Sequence, residues 1–115
     1  MRVIIAGSRD FNDYTTLCRV CDHMLSERND VEIVCGMAKG ADLLGKKYAE
    51  ERGYKVKEFP ASWEALGKAA GYVRNEDMAK YSDALIAFWD GSSKGTGHMI
   101  DLANARNLKV KIHNS

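Results

Sequence analysis

Short runs of apolar residues alternate along the chain with longer segments in which apolar side chains recur every three or four positions. The runs are typical of buried strands, and the longer spacing is typical of amphipathic helices. Strands are predicted over residues 2–6, 31–35, 54–59, 83–89 and 108–112. Helices are predicted from a cap at 12 or 13 to about 28, over 41–52, from about 68 to 81, and from 97, capped by Thr96, to about 106, with residues 61–67 irregular.

This strict alternation of strands and helices predicts an α/β fold. Each connection is long enough for a right-handed crossover, which favours a Rossmann-like, doubly wound parallel sheet of five strands with helices on both faces. The length of 115 residues suits one domain that spans residues 1–115.

Composition narrows the classes of partner. The chain is 45% hydrophobic and 29% charged, with a formal net charge of +1. Duplex nucleic acid is therefore not an expected partner, because such binding needs a surplus of basic residues. No apolar run approaches the roughly 20 residues that cross a bilayer, so no membrane partner is expected and a cytoplasmic location is predicted.

The three cysteines are predicted to be free thiols. Cys18 and Cys21 have a C-x-x-C spacing, but they fall within the apolar stripe of a predicted helix, and no second ligand pair for zinc follows. A place in the core is the favoured interpretation, with a redox or metal pair as the alternative. No metal and no cofactor are predicted.

Unusual residues are concentrated in the loops that follow strands. These loops cover residues 7–11, 36–42, 60–63 and 90–97. The loops that follow helices, at Asn29-Asp30, Gly53, Ser82 and Asn107, show no such concentration. In an open parallel sheet all the strand-to-helix loops lie at one edge, where ligands bind. The asymmetry predicts a ligand site at the carboxyl edge of the sheet.

The loop after the fourth strand has the composition of a phosphate-binding turn. Glycines allow close backbone approach, and the N-terminus of the next helix offers N–H groups to an anion. An ordinary flexible loop is the alternative interpretation. The candidate ligand-binding residues here are Gly91, Ser92, Ser93, Gly95, Thr96 and Gly97, with His98 in the first helical turn.

Three cations are predicted to face an anionic ligand. Arg9 and Lys39 follow strand ends beside glycine, and Arg74 precedes the fourth strand. Asp42 could cap its helix or accept a hydrogen bond from a ribose hydroxyl. Aromatic side chains that could stack on a base are Phe11, Trp63, Tyr72 and Trp89.

Several of these motifs resemble those of the SLOG superfamily, and in particular its small YspA-type members. They are Gly7-Ser8-Arg9, the stretch 36–42, Arg74-Asn75, 59–63 and 95–100. The resemblance covers nearly the whole chain and implies a Rossmann-like fold with a site for nucleotides or nucleotide-derived signals. By this resemblance Gly7, Ser8, Gly36 and Asn75 join the candidate ligand-binding residues.

Two relatives within the superfamily imply different activities. In the lonely-guy phosphoribohydrolases an Arg and a Glu cleave the N-glycosidic bond of nucleoside monophosphates. Arg74 matches that Arg, but Met99 stands at the Glu position, and Asp101 lies about 200° further around the helix. Arg74 and Asp101 are therefore the candidate catalytic residues. Asp10, Asp42 and Asp90, which lie in other loops, are the alternative sources of the carboxylate.

The second relative, DNA-processing protein A, shares the Gly-x-Ala-x-Gly-x-Asp turn and binds single-stranded DNA, a use that the near-neutral charge disfavours. The leading hypothesis is therefore binding or sensing of a nucleotide-derived, ADP-ribose-like small molecule. The alternatives are a nucleoside 5′-monophosphate N-glycosidase and an interaction protein with a vestigial site. The resemblance also makes a homodimer plausible.

Overall fold

The computed structural model describes residues 1–37 and 40–114. The strands are β1 Arg2–Gly7, β2 Glu32–Cys35, β3 Lys55–Glu58, β4 Ala84–Trp89 and β5 Lys109–Asn114. The helices are α1 Tyr14–Leu25, α2 Ala41–Arg52, α3 Trp63–Leu66, α4 Ala70–Tyr81 and α5 Lys94–Ala105, with a 3₁₀ turn at Gly67–Ala69.

The five strands form one parallel sheet in the order β3-β2-β1-β4-β5. The chain builds outward from β1 to β3, then crosses back to place β4 on the other side of β1. The topological switch point therefore lies between β1 and β4, which is where ligands bind in open α/β sheets. The predicted Rossmann-like α/β fold is confirmed.

Helices cover both faces of the sheet because side chains alternate along the buried central strands. Val3 and Ile5 of β1 point to the face packed by α1 and α2, in a core with Leu17 and Tyr48. Ile4 points to the opposite face, where α4 and α5 pack. The near-continuous apolar runs of β1 and β4 follow from burial on both faces.

The two edge strands are largely exposed and carry lysines. Lys55 and Lys57 lie in β3, and Lys109 and Lys111 lie in β5. Charged side chains at a sheet edge disfavour pairing with another chain. No helix within residues 1–37 and 40–114 has the length and apolar character that crossing a bilayer requires.

Two predictions about the loops were wrong. The segment 61–67, predicted to be irregular, contains α3, which a break at Gly67 (φ 55°, ψ −132°) separates from α4. The last helix begins at Lys94 and not at Gly97, so Gly95, Thr96 and Gly97 are helical. A Cβ atom at position 97 would lie 3.3 Å from Cζ2 of Trp89, so the small residue there gives that ring room to pack.

Boundary differences are smaller elsewhere. α1 ends at Leu25, before the predicted end near residue 28, and β5 extends to Asn114. The extension follows β4, because Asn114 is the register partner of Trp89. Strand length here is decided by the neighbouring strand and not by local apolar pattern.

Candidate functional site

A cavity of about 410 Å³ opens at the carboxyl edge of the sheet, at the switch point between β1 and β4. We call it the central cavity. The end of β1, the loops after β1 and β4, the first turn of α2 and the helices α4 and α5 contribute residues to it. Its lining residues are Ala6, Gly7, Ser8, Arg9, Asp10, Asp42, Arg74, Asn75, Met78, Asp90, Ser93, Gly95, Thr96 and Met99.

Two arginines from distant parts of the chain meet in this cavity. Arg74, in the first half of α4, donates from Nη1 to the carbonyl of Gly36 and from Nε to Oδ1 of Asn75 at 3.0 Å. Burial lowers the pKa of Arg74, the charge of Arg9 lowers it further, and Asp42 opposes both. Arginine nevertheless stays charged, so each guanidinium group can pair with an anionic group of a ligand.

Asn75 fixes the position of Arg74 relative to α5. Its side chain is buried, and Nδ2 donates to the carbonyl of Gly95 at 3.3 Å and lies 3.2 Å from Nδ1 of His98. Because Oδ1 of Asn75 accepts from Arg74, one amide connects the guanidinium to the first turn of α5. His98 also contacts the ring of Tyr72 edge-on, with centroids 4.7 Å apart.

Three aspartates share the cavity with the arginines. Asp42 is buried at the start of α2, while Asp10 and Asp90 are exposed in the loops after β1 and β4. Met99 lines the same cavity and is buried. Carboxylates accept hydrogen bonds from sugar hydroxyls and can also stabilise a developing oxocarbenium charge. The cavity therefore combines groups suited to an anion with groups suited to a sugar.

The loop before α5 is held by its own aspartate. Oδ1 of Asp90 accepts from the backbone N–H groups of Ser92 and Ser93, both at 2.8 Å, and these bonds hold the pKa of Asp90 below its ordinary value. Nε1 of Trp89 donates to the carbonyl of Ser93 at 3.0 Å. Two amides of the predicted phosphate-binding turn thus already contact a carboxylate, and the part that faces the cavity is Ser93, Gly95 and Thr96.

A second cavity of about 590 Å³ adjoins the first on the side of β2. We call it the lateral cavity. It shares Arg9, Arg74, Asn75 and Gly95 with the central cavity. Its further lining residues are Gly36, Met37, Pro60, Ala61, Trp63, Lys68, Gly71 and Tyr72.

Glycines allow the loops to converge this closely. A Cβ atom at Gly36 would lie 2.7 Å from Nη1 of Arg74 and 2.8 Å from Oδ2 of Asp42. A Cβ atom at Gly40 would lie 2.3 Å from the carbonyl oxygen of Ser8, and the φ of Gly40 is 81°. These glycines make room for neighbouring protein groups.

Most of the predicted ligand-binding residues come together at these cavities. The central cavity contains Gly7, Ser8, Arg9, Asp42, Arg74, Asn75, Ser93, Gly95 and Thr96, and the lateral cavity adds Gly36 and Trp63. Five of the predicted ligand-binding and catalytic residues lie outside the lining of both, namely Gly91, Ser92, Gly97, His98 and Asp101, as do the predicted stacking residues Phe11 and Trp89. Lys39 falls outside the described residues.

The reasons differ among these five. Gly91 and Ser92 are exposed, Gly97 faces Trp89, and His98 lies behind Asn75. Asp101 is exposed on α5, which agrees with its expected rotation away from the position of Met99. Phe11 is buried against the ring of Phe88, with centroids 4.9 Å apart, so its ring belongs to the core.

The sequence pattern missed several cavity residues. Lys68 and Gly71 lie where α4 begins, and Met78 lies further along it. No local signal marks them, because their place depends on how α4 packs beside β1 and β4. The carbonyl partner of Arg74, Gly36, lies 38 positions away in the chain and could not be inferred from spacing.

A protein-family model matches residues 1–65 of this chain, and it describes the YspA, cpYpsA-related SLOG family. A curated relative, the Gene 61 protein of Mycobacterium phage D29, is 34% identical over an alignment of 116 positions that covers 95% of this chain and 93% of the relative. The chain belongs to the YspA, cpYpsA-related SLOG family. The resemblance inferred from the sequence motifs is confirmed, and membership points to a nucleotide-related function.

Among solved structures, this SLOG protein is similar to DNA processing protein A from Streptococcus pneumoniae. The TM-score is 0.78 with 17% sequence identity, over 97% of this chain and 49% of that one. The chain thus spans about half the length of that structure. At this identity the likeness shows the shared fold, which agrees with the sheet order described above.

Proposed function

We propose that this SLOG protein, acting as one ligand-binding domain over residues 1–115, binds a nucleotide or nucleotide-derived molecule in the central cavity. The observation that carries the proposal is the convergence of Arg9 and Arg74 beside the first turn of α5. Two guanidinium groups and a helix N-terminus together favour a phosphate. The phosphate lies at the arginines in this proposal.

The aspartates of the same cavity support a sugar next to that phosphate. Asp42 and Asp10 accept hydrogen bonds from ribose hydroxyls, while Asp90 holds the loop before α5. Trp63 lines the lateral cavity and not the central cavity that holds the aspartates, so its predicted stacking on a base is not part of this proposal. Phe11 is left out of the proposal because its ring packs on Phe88.

Isothermal titration and thermal unfolding with a panel of nucleoside phosphates and ADP-ribose test the proposal. A ligand at 100 times its Kd stabilises the native state by about 2.7 kcal/mol, which raises the unfolding temperature measurably. Arg9 is exposed, so Arg9→Ala should fold normally and weaken binding about tenfold or more, the loss expected for one charge-assisted contact.

Arg106→Ala is the matched control, since this exposed arginine at the end of α5 lies outside the lining of both cavities. Its affinity should equal that of the unmodified protein. Equal loss in both variants would mean that general charge, and not the cavity, attracts the ligand. No binding by any compound of the panel would favour an interaction protein with a vestigial site.

Hydrolysis of a nucleoside monophosphate is a second candidate, supported by the presence of Asp10 and Asp42 in the same cavity as Arg74. Either carboxylate could assist departure of the base, although Met99 occupies the position of the phosphoribohydrolase Glu. Chromatography of nucleoside monophosphates after incubation tests this: free base released by the unmodified protein and not by Asp42→Asn supports hydrolysis. No free base leaves binding alone.

A further inference from the structure

The lateral cavity differs in charge from the central cavity. Its charged lining residues among those described are cations, Arg9, Lys68 and Arg74, whereas the central cavity also holds three aspartates. A cation attracts an anionic ligand more strongly where no carboxylate lies beside it to offset its charge. The lateral cavity therefore favours an anionic group of its own, in addition to the phosphate proposed for the central cavity.

The two cavities are continuous at the arginines. Arg9 and Arg74 line both of them, together with Asn75 and Gly95. A phosphate bound by the arginines would consequently lie at the boundary, with the nucleoside on the side of the aspartates. A second phosphate attached to it could then enter the lateral cavity, which Lys68 also lines.

The other residues that line the lateral cavity give it apolar walls and open space. Trp63 and Tyr72 have exposed fractions of 53% and 52%, and they lend the cavity an apolar surface. Gly71 keeps the space open, since a Cβ atom there would lie 3.6 Å from Cη2 of Trp63 and 3.9 Å from Nη2 of Arg74. The cavity therefore has room for a further group of the ligand beside the cations.

We propose that the lateral cavity binds a second phosphate through Lys68, so that the protein prefers nucleoside diphosphates and their esters to nucleoside monophosphates. The inference rests on the nucleotide binding proposed above. It adds one binding residue, Lys68, and narrows the ligands from nucleotides in general to those that carry two linked phosphates.

Titration calorimetry without divalent cations measures the preference directly. Adenosine and guanosine 5′-monophosphates and 5′-diphosphates are titrated into the unmodified protein, Lys68→Ala and Lys80→Ala. The diphosphates should bind about tenfold more tightly than the monophosphates, the gain expected for one further charge-assisted contact. Lys80→Ala is the control, because this exposed lysine of α4 lies outside the lining of both cavities.

Gly71→Leu provides a second test that leaves every charge in place. The leucine would occupy the lateral cavity beside Trp63 and would raise the helix propensity of the first turn of α4, so folding should be retained. In both Lys68→Ala and Gly71→Leu the diphosphate should bind only as tightly as the monophosphate. In the Lys80→Ala control, both the monophosphate affinity and the preference for diphosphates should stay unchanged.

The outcomes separate this inference from the proposed function. Equal affinity of mono- and diphosphates for the unmodified protein overturns the second phosphate site and leaves nucleotide binding standing. A diphosphate preference that survives in both Lys68→Ala and Gly71→Leu also overturns it. Absence of binding by every nucleotide removes both proposals together.

Discussion

Replacing Gly40 with alanine tests how closely the turns after β1 and β2 approach each other, which is the arrangement that the candidate site requires. Gly40 has φ 81° and ψ −131° and directly precedes α2. A Cβ atom there would lie 2.3 Å from the carbonyl oxygen of Ser8 and 2.6 Å from that of Arg9. Both neighbours are backbone atoms, so no side chain can rotate away to relieve the overlap.

Gly53→Ala is the matched comparison. Gly53 also has a positive φ, 74°, but a Cβ atom there would have no neighbour within 4 Å. A left-handed alanine costs about 1–2 kcal/mol, and the stiffer unfolded chain offsets about 0.4–1 kcal/mol of that. The free energy of unfolding of Gly53→Ala should therefore fall by about 1 kcal/mol.

Gly40→Ala should be more destabilising for two reasons. Its backbone region is open almost only to glycine, at a cost of about 1–3 kcal/mol, and relieving the overlap requires a backbone shift that costs a further 1–3 kcal/mol or so. A loss of about 3 kcal/mol or more is expected, a large part of the roughly 5–15 kcal/mol that holds a domain folded.

Urea unfolding followed by far-UV circular dichroism measures both variants. The midpoint should move to lower urea with little change in slope, because the surface exposed on unfolding is the same. If the two variants lose the same stability, the turns do not meet as described, and the shared cavity at the arginines loses its structural basis.

Three further predictions concern groups outside the proposed phosphate contacts. Asp90→Asn should lower the free energy of unfolding at neutral pH and much less at pH 3, as measured by urea unfolding at both pH values. The reason is that the pKa of Asp90 in the folded protein lies below the ordinary 3.8. The stability that the ionised carboxylate contributes is therefore present above pH 3.8 and is lost as the pH falls through the folded pKa. Ser82→Ala should leave the free energy of unfolding unchanged or raise it by about 1 kcal/mol, since the buried hydroxyl has no hydrogen-bond partner in the described structure; a loss above that size would contradict this. Burial raises the pKa of Cys21 and of Cys35 to about 12. Only Cys18 should therefore react rapidly with a thiol reagent at pH 8 in the native protein. Rapid reaction of more than one thiol would contradict this prediction.

The sequence was sufficient for the architecture and for most of the loops at the site. Apolar runs at β1 and β4 and helical spacing between strands determine a doubly wound sheet, because burial on both faces demands such patterns. The asymmetry between the two sets of loops predicted a ligand site at the edge of the sheet where the structure has both cavities. Periodicity failed at α3 and at the start of α5, where Gly67 and Asp90 redirect the backbone.

Individual roles within the site were less predictable. Gly91 and Ser92 were predicted to contact an anion, yet they are exposed outside both cavities. Their backbone N–H groups were expected to donate to an anion. The partner of an N–H group depends on what the fold brings near it, and here Oδ1 of Asp90 accepts from the N–H of Ser92. The homodimer stays a prediction.

By itself, the order of residues determined which segments become strands, which edge of the sheet carries the polar loops, and that arginines and glycines are concentrated there. Only the tertiary structure decided that Arg74 contacts Gly36, that Lys68 and Gly71 border a second cavity, and that Asp90 holds the turn before α5. The physical reason is range: strand and helix patterns are set by neighbours a few positions away, whereas a cavity is formed by side chains that meet across long stretches of chain once the sheet has packed.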